Sequence, residues 1–422
     1  MARLKGFQKL TSVDKALGKF LEALKIQKPE AASVPLDSAL NRITARPIVA
    51  GEDLPRFDRS AVDGYAVKAE DTADASQFKP RKVTIADKDL IRSGEAKEVW
   101  TGTPIPAGAE AVLMLEDSKR TDDQIEVWTA LAAYENVSRK GEDVKNGEVA
   151  IEAGVRLKPQ HLGLLAALGR ARVEVFEKPR VAVLVTGNEL AEIGEKRRGN
   201  QIFDVNKPAV SALCRELGAE PIDLGIVRDD LDEIVGRLKA GLEKADVVIS
   251  TGGTSVGVSD LVPEAVNRIG KPGVIVHGVA MRPAMPTALA VVHGKPVLVL
   301  SGNPVAAMIG FEVFARPLIC RLLGLRKEEV RQKLRAKMTR KTTSALGRRT
   351  FVRVHVHERD GEYFAEPISA RGSGAISTMT RANGYVVVPE SREGLAEEET
   401  VTVHMFSGIE SGDRDVQKTA HT

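Results

Sequence analysis

The stretch D-V-V-I-S-T-G-G-T-S-V-G-V-S-D-L-V, residues 246–262, constrains the fold more than any other part of this sequence. Residues 246–250 form a short apolar run with β-branched side chains, which predicts a strand buried on both faces. Glycine lets a backbone take positive φ and approach a ligand closely. The loop after the strand contains three such residues, Gly252, Gly253 and Gly257.

A helix is predicted after this loop. Asp260 can cap its first turn, and Pro263 falls where a missing N–H is tolerated. A strand, a glycine-rich loop and a helix start form the arrangement that holds phosphate-bearing ligands in open α/β sheets. The spacing matches neither the Walker A motif nor G-x-G-x-x-G. Taken alone, the loop is equally compatible with a turn that binds nothing.

Two further stretches repeat the pattern of a buried strand that ends at a glycine. Residues 181–190 read V-A-V-L-V-T-G-N-E-L, and residues 297–306 read V-L-V-L-S-G-N-P-V-A. Strand and helix patterns alternate throughout residues 180–324. The sequence therefore predicts a doubly wound, mostly parallel sheet, whose parallel strands end at one common edge.

Composition excludes several classes of protein. With 422 residues the chain is expected to form roughly three domains. The net charge of +3 argues against nucleic acid or a membrane as a partner. The two cysteines, Cys214 and Cys320, fall in helical patterns and are predicted to be buried free thiols. With no export signal or long apolar span, we predict a cytoplasmic protein.

The parts before and after the α/β region are predicted to be helical and β-rich. Residues 12–26 and 37–46 are predicted as helices, with Ser12 as a cap of the first, and a third helix is predicted over residues 152–169. Short strands broken by glycine and proline in residues 80–128 predict a small β domain.

The C-terminal part is predicted to be a second β domain. The basic tract of residues 326–341 could bind an anion, but its alternation favours an amphipathic strand with lysines on an outer face. His355 and His357 share one face of a predicted strand, where a metal site is disfavoured because a third ligand is lacking. Residues 407–422 are predicted to be a disordered tail.

The motifs T-G-N-E, T-G-G-T-S-V-G and G-N-P-V, in that order, resemble the molybdopterin-binding domain of molybdenum cofactor biosynthesis proteins. With the loop F-D-R-S-A-V-D-G-Y-A of residues 57–66, the chain resembles the molybdopterin molybdenumtransferase family, which includes the C-terminal domain of gephyrin. The resemblance extends from the first helix to about residue 405.

This resemblance implies a multidomain α/β plus β fold with a disordered tail. It places an elongated helical domain at residues 1–46 plus 145–179, an inserted β domain at 47–144, the α/β molybdopterin-binding domain at 180–326, a C-terminal β-barrel at 327–406 and the tail at 407–422. It also implies a homodimer whose active site is shared between subunits. Molybdopterin adenylyltransferase and other proteins of the cofactor pathway are possible partners.

The implied reaction takes adenylylated molybdopterin and molybdate, releases AMP and is assisted by Mg²⁺. Cleavage of a phosphoanhydride suits carboxylates that hold Mg²⁺ and a loop whose N–H groups and hydroxyls hold phosphates. By the resemblance, the catalytic carboxylates are Asp63, Glu189, Asp229 and Asp260, of which the last three are the Mg²⁺ ligands. The implied substrate-binding residues are Thr101, Asp143, Thr186, Gly187, Thr251, Gly252, Gly253, Thr254, Ser255, Gly257, Arg282, Ser301, Gly302, Asn303 and Pro304. For Asp229, a salt-bridge or capping role with its neighbours is the alternative.

The chain departs from the family pattern at the oxyanion loop. Many members have Lys-Pro-Gly-Lys-Pro where residues 282–286 here read R-P-A-M-P, so Arg282 keeps one cation and Met285 removes the other. Ser301 stands where proline is common, and Asn188 where aspartate is common. These departures leave the choice between molybdate and tungstate open.

Two other functions fit the same α/β domain. A molybdopterin adenylyltransferase usually lacks the additional helical and β domains that this chain has. A non-catalytic molybdopterin-binding or scaffold protein would not require the carboxylates. AMP release with and without molybdate distinguishes the three.

Overall fold

The computed structural model describes residues 10–253, 261–327, 329–368 and 372–409. The chain forms two compact units: residues 33–175 form one, and the chain on either side of them forms the other. The four predicted domains are finer than this division, and their boundaries stay predictions.

A short helix precedes the unit of residues 33–175, and a strand runs into its first residues. Helix α1 is Val13–Glu22 and strand β1 is Ala31–Pro35. Ser12 occupies the cap position of α1, but its side chain makes no capping hydrogen bond. The helix buries Val13, Ala16 and Phe20, which are spaced to form one apolar face.

The unit of residues 33–175 is mostly β-structure. Its elements are β2 Ile48–Val49, β3 Arg59–Ser60, β4 Gly64–Val67, β5 Arg81–Ile85, β6 Glu95–Val99, β7 Ala111–Met114, β8 Ser118–Thr121, β9 Gln124–Val127, β10 Val137–Ser138, β11 Val149–Ile151, α2 Pro159–Ala167 and β12 Arg172–Phe176, the last residue of which lies past the unit. Six strands form one sheet in the order β7-β4-β6-β5-β9-β8. The short strands predicted in residues 80–128 are thus present, and they belong to a single sheet that also includes β4.

Two predicted helices in this unit are wrong or shortened. Instead of a helix over residues 37–46, the chain makes one 3₁₀ turn, Leu36–Ser38. Thr44 Oγ1 then donates to Glu152 O at 2.7 Å and accepts from the N–H of Val155 at 3.0 Å. These hydrogen bonds hold the segments around Thr44 and around Val155 as extended chain. Tertiary contacts therefore override local helix propensity. The third predicted helix accordingly begins only at Pro159.

The α/β region has the predicted fold. Its elements are β13 Arg180–Thr186, β14 Leu190–Ala191, β15 Ile202–Phe203, α3 Asn206–Leu217, β16 Glu220–Val227, α4 Leu231–Lys244, β17 Val247–Thr251, α5 Leu261–Ile269, β18 Pro272–His277, β19 Met281–Arg282, β20 Ala288–Val292, β21 Lys295–Leu300, α6 Pro304–Gly310 and α7 Arg316–Leu322. The main sheet has the order β16-β13-β17-β21-β20-β18. Its first four strands are parallel, and β20 and β18 pair antiparallel. Both faces are covered, and β13, β17 and β21 are almost entirely buried.

The helices of this region carry the expected end signals. Gly218 ends α3 with a φ of 95°, a left-handed conformation that glycine adopts without steric cost. Both cysteines are buried free thiols, as predicted. Burial raises the pKa of Cys214 to about 12, which keeps its thiol protonated and unreactive.

Helices α6 and α7 are joined by a π-helical turn, Phe311–Ala315. This turn contains Glu312, which is only 8% exposed. Arg331, in the segment that leads to the C-terminal strands, donates to both oxygens of Glu312 at 2.8 and 3.1 Å and to Glu216 at 2.9 Å. A bidentate pair of this kind fixes both side chains, so it attaches the segment firmly to the α/β layer.

The C-terminal strands close into a barrel. They are β22 Lys333–Met338, β23 Thr342–Thr343, β24 Arg349–Arg359, β25 Glu362–Pro367, β26 Gly384–Val388, β27 Gly394–Leu395 and β28 Thr400–Met405, with helix α8 at Ser377–Arg381. The order β24-β25-β22-β28-β26 is completed by pairing of β26 with β24, which makes a ring of five strands. The fold class predicted from the sequence is therefore confirmed.

The barrel also contacts β19 and α1. Strand β19 pairs with β24, so Arg282 lies opposite Thr350. Arg349 donates to both oxygens of Asp14 in α1, at 2.8 and 2.7 Å. Within the described residues, no helix has the length and apolar character needed to cross a membrane. Of the predicted tail, residues 410–422 lie outside the described residues, and Ile409 packs against the barrel core.

Candidate functional site

The ends of β16, β13, β17 and β21 form a row, which we call the sheet edge. Val185 pairs with Thr251, and Thr251 pairs with Leu300, so three neighbouring strands end at the same level. At these ends stand three buried hydroxyl side chains, those of Thr186, Thr251 and Ser301. The sequence predicted all three as substrate-binding residues, and the fold brings them together on adjacent strands.

Gly252 makes this close arrangement possible. Its N–H donates to Leu300 O at 3.2 Å, and its φ is 92°. A Cβ at this position would lie 2.3 Å from the carbonyl oxygen of Thr186. Both the backbone conformation and the contact therefore require glycine, and the β17 loop is held against the end of β13.

Three hydroxyls at the sheet edge are unpaired among the described residues. Thr186 Oγ1, Ser250 Oγ and Thr251 Oγ1 are buried, and none has a hydrogen-bond partner in the part of the chain that the structure describes. Buried polar atoms are normally paired. A hydroxyl donates as well as accepts, so this row suits the oxygen atoms of a phosphate.

Two of the predicted carboxylates flank the row. The Glu189 side chain is exposed and lies over Gly187, where a Cβ would be 2.8 Å from Glu189 Oε2. Asp229 is also exposed, and its N–H donates to Asn188 Oδ1 at 3.2 Å. The helix-capping role belongs to Asp230, which accepts from Glu233 N at 2.9 Å, and not to Asp229. The carboxylate of Asp229 is thus not used as a cap.

Four predicted residues of the central loop, Thr254, Ser255, Gly257 and Asp260, lie outside the described residues. Gly253, the last described residue before them, has a φ of 64°, and a Cβ there would be 2.6 Å from Val262. The positive φ and this close contact both favour glycine at position 253, as at position 252.

Asn303 and Pro304 begin helix α6, as the G-N-P motif predicted. Asn303 is the cap residue and Pro304 takes the first helical position. The N–H of Asn303 donates to Ser301 Oγ at 3.3 Å. Gly302, between them, has its carbonyl oxygen bound by the amide of Asn206 at 2.8 Å.

Asp204 and Asn206 were not predicted as site residues. They precede and begin α3, and they are 2% and 5% exposed. Burial raises the pKa of the Asp204 carboxyl. The signal in the sequence was the D-V-N triplet just before a helical pattern, which reads equally well as an ordinary helix start.

A cavity of about 690 Å³ lies beside Ser301 and Asn303, between the α/β layer and the barrel. We call it the cationic cavity, because its described lining contains five basic side chains and no acidic one. The basic residues are Arg282, Arg340, Lys341, Arg348 and Arg353. Such a lining suits a multiply charged anion.

Of these cations, only Arg282 was predicted as a site residue. The strand predicted from the basic tract is confirmed as β22, but Arg340 and Lys341, just beyond it, line the cavity. Arg353 is the most enclosed, since it is half-buried and the other four are exposed. This burial lowers the pKa of Arg353, and its Nε has no partner within the described residues. Met285 also lines the cavity, at the position where the family pattern has a second lysine.

The remaining predicted residues lie in the unit of residues 33–175. Asp63 Oδ1 accepts hydrogen bonds from the N–H and the Oγ1 of Thr101, at 2.7 and 2.8 Å. Both bonds lower the pKa of Asp63, and the bond from the backbone N–H has the larger effect. Together they fix the carboxylate in place. Asp143 is exposed, and its N–H donates to Leu54 O at 3.1 Å.

Within the described residues, no group of three or more His, Cys, Asp or Glu side chains forms a ready metal cluster. His355 and His357 stack with ring centroids 6.1 Å apart, and no third ligand joins them among those residues.

Comparison with protein-family models gives three matches that follow one another along the chain. Residues 11–169 match the MoeA N-terminal region (domain I and II). Residues 182–321 match a probable molybdopterin binding domain. Residues 335–406 match the MoeA C-terminal region (domain IV).

Several curated proteins are similar over most of this chain. A putative molybdopterin biosynthesis protein of Methanocaldococcus jannaschii is 37% identical over 96% of this chain and 100% of its own length. Molybdopterin molybdenumtransferase of Staphylococcus aureus strain COL is 35% identical, over 88% of this chain and 90% of the relative. A crystal structure of molybdopterin biosynthesis moeA protein from Pyrococcus horikoshii OT3 aligns with a TM-score of 0.81 and 32% identity, covering 94% of this chain and 100% of that one.

Proposed function

Since the chain belongs to the MoeA family of molybdopterin molybdenumtransferases, we propose that it inserts molybdenum from molybdate into adenylylated molybdopterin with release of AMP. It is a transferase of molybdenum cofactor biosynthesis. The proposal rests on one observation, the contact between two unlike sites. Ser301 and Asn303 follow the end of β21 at the sheet edge, and both also line the cationic cavity. One site suits a phosphoanhydride and the other an oxyanion.

The phosphates of the substrate bind at the sheet edge. Thr186 and Thr251 offer buried hydroxyls, and the backbone of Gly252 and Gly253 lies close to Thr186. A fixed set of donors stabilises the negative charge that develops when the anhydride is cleaved, since the donors need not reorganise during the reaction. Cleavage takes up one water molecule and yields AMP and the terminal phosphate of molybdopterin.

The carboxylates at the sheet edge suit Mg²⁺, the ion that the family resemblance implies. Mg²⁺ is usually bound by one or two carboxylates together with substrate phosphates, and it keeps several waters. Glu189 and Asp229 are exposed carboxylates on neighbouring loops, and Asp260 is the third proposed ligand. When bound there, the ion would neutralise charge on the phosphate oxygens. The three carboxylates would hold it, directly or through its waters, and the hydroxyl row would orient the anhydride.

Molybdate binds in the cationic cavity. Its two negative charges need several N–H donors once the ion is partly desolvated. Arg282 supplies one cation. Met285 stands where the family pattern has a second lysine, and Arg353 and Lys341 of the barrel supply positive charge instead. The two thiols of molybdopterin then displace one molybdate oxygen, which leaves as water with both thiol protons. Tungstate has the same charge, so the cavity accepts it by the same argument.

We propose a homodimer with an active site shared between subunits. Asp63, Thr101 and Asp143 lie in a different compact unit from Glu189 and Asp229. In a shared site, the first set would come from one chain and the second from its partner. Molybdopterin adenylyltransferase is the proposed supplier of the substrate, in the cytoplasm.

Mixing of inactive protomers tests the shared site. Asp63→Ala and Asp260→Ala proteins, inactive alone, should recover about a quarter to a half of the sites when mixed as heterodimers. If subunit exchange is verified and no activity returns, each chain builds its own site.

The reaction itself is tested by AMP release from adenylylated molybdopterin, with and without molybdate or tungstate. We expect release that depends on the oxyanion and on Mg²⁺. An adenylyltransferase would instead consume ATP and molybdopterin and release pyrophosphate. Binding of molybdopterin without either reaction would identify a scaffold and contradict the proposal.

A further inference from the structure

Two buried oxygen atoms at the start of α3 have a fixed orientation and no partner. Asp204 Oδ1 accepts from the N–H groups of Asn206 and Lys207, at 2.8 and 3.2 Å. Asp204 Oδ2 has no hydrogen-bond partner within the described residues. Asn206 Nδ2 donates to Gly302 O at 2.8 Å, and its Oδ1 is likewise unpartnered there.

The identity of both free atoms follows from their neighbours. A carbonyl oxygen only accepts, so the nitrogen of the Asn206 amide must face Gly302 and the oxygen must point elsewhere. The helix N–H groups hold Asp204 Oδ1 in the same way. Two hydrogen-bond acceptors are thus fixed at the sheet edge, both on side chains that are at least nine-tenths buried.

These acceptors do not suit a phosphate. The hydroxyls of Thr186 and Thr251 can donate to phosphate oxygens, whereas a carboxylate repels them. Lys207 does not change this, since its Nζ is engaged by Glu192 at 3.1 Å and by Asp223 at 3.2 Å. Asp204 and Asn206 therefore need a ligand group that presents N–H donors.

We propose that Asp204 Oδ2 and Asn206 Oδ1 bind the 2-aminopyrimidin-4-one edge of the pterin in adenylylated molybdopterin. This inference rests on the proposed function. The pterin edge presents a ring N–H beside an amino group, which is two adjacent donors for two acceptors. The adenine edge of the AMP group presents one donor and one acceptor, so it leaves one of the two oxygens unpaired. The pair therefore selects the pterin end of the substrate.

The pterin, its 2-oxo analogue lumazine, GMP and AMP serve as probes for a fluorescence and calorimetric titration of the full chain. Lumazine replaces the amino donor by a carbonyl acceptor, and GMP carries the same edge as the pterin on a nucleotide. We expect the wild-type protein to bind pterin at least about 10-fold more tightly than lumazine, since an unmatched buried polar group is costly. Equal affinity, or binding of neither, overturns the inference without any variant.

Asp204→Asn is the informative variant, because the amide oxygen can keep the helix cap while the other atom becomes a donor. We expect it to weaken pterin binding by about 10- to 100-fold, to remove the preference over lumazine, and to leave AMP binding within about twofold. Glu192→Gln, on the far side of Lys207, is the control and should change none of these.

Three results contradict the inference. Unchanged pterin affinity in folded Asp204→Asn protein removes the residue from the site. An equal loss of AMP affinity indicates a general structural role. A larger loss of GMP affinity than of pterin affinity in Asp204→Asn assigns the pair to a nucleotide base. If the preference for pterin holds while molybdate-dependent AMP release fails, the proposed reaction is wrong and the pterin site stands.

Discussion

The sheet edge and the cationic cavity touch at Ser301 and Asn303, yet they are built in different ways. The sheet edge uses neutral hydroxyls, glycine backbone and exposed carboxylates on strands of a single sheet. The cationic cavity uses five basic side chains contributed by β19 and by the barrel. The first site is therefore sensitive to backbone geometry, and the second to net charge. Changes in the two sites should affect different measured quantities.

Removal of carboxylate charge at the sheet edge should have the largest effect. Glu189→Gln, Asp229→Asn and Asp260→Asn should each lower molybdate-dependent AMP release by about 100- to 1000-fold, the loss typical of a key electrostatic group. Thermal stability should be retained for the first two, since both side chains are exposed. Asp232→Asn, whose side chain is 94% exposed on α4, is the control. Full activity of a variant would remove that residue from the catalytic set.

A backbone change at the sheet edge should affect stability as well as activity. Gly252→Ala places a Cβ 2.3 Å from Thr186 O at a φ of 92°, so we expect a loss of roughly 2–4 kcal/mol in the free energy of unfolding. Gly236→Ala in α4 is the matched control, since its Cβ meets nothing within 4 Å, and it should stabilise by about 0.5–1 kcal/mol. Urea unfolding measures both. Equal stability of the two variants would show that the close approach at Gly252 is not required.

Charge changes in the cationic cavity should alter the molybdate requirement alone. Arg282→Ala should raise the molybdate concentration for half-maximal AMP release by about 10- to 100-fold, and Met285→Lys should lower it. Arg335→Ala removes an exposed cation of β22 that does not line the cavity, and it should have no effect. If neither cavity variant moves that concentration, molybdate does not bind at this loop.

The smallest effect is expected where neither site is involved. Asp14→Asn breaks the ion pair that joins α1 to Arg349, and the exposed carboxylate limits its contribution to under about 1 kcal/mol. The hydrogen bonds from Arg349 lower the pKa of Asp14, so its contribution is fully present above the pKa that this carboxyl has in the unfolded chain. The difference from wild type should then disappear as the pH falls through the folded pKa. A change in the molybdate requirement would contradict the separation of the two sites.

The sheet edge could be predicted from sequence because its signals are local. Buried strands are continuous apolar runs, and each ends in a glycine beside a hydroxyl residue, so residues such as Thr186 and Thr251 were found without a structure. Gly218 likewise marked the end of α3.

The cationic cavity could not be found in this way. Arg353 lies in an alternating strand pattern, which does not show whether a side chain faces solvent or a neighbouring layer. Its role depends on the pairing of β24 with β19, about seventy residues earlier in the chain. The wrongly predicted helix at residues 37–46 has the same cause, since Thr44 is held by partners more than one hundred residues away. Asp204 was missed because helix capping and ligand binding use the same residue types.

The closed ring of the barrel also bears on how this enzyme family can diverge. Arg340, Lys341 and Arg348 lie on connections between strands, while the five strands satisfy one another's backbone hydrogen bonds. Because a closed barrel fixes register independently of its loops, these three positions can change without disturbing strand pairing. Selection can thus retune the charge offered to the oxyanion in small steps at the barrel. The sheet edge, where a single added methyl group meets a backbone oxygen, has little such freedom.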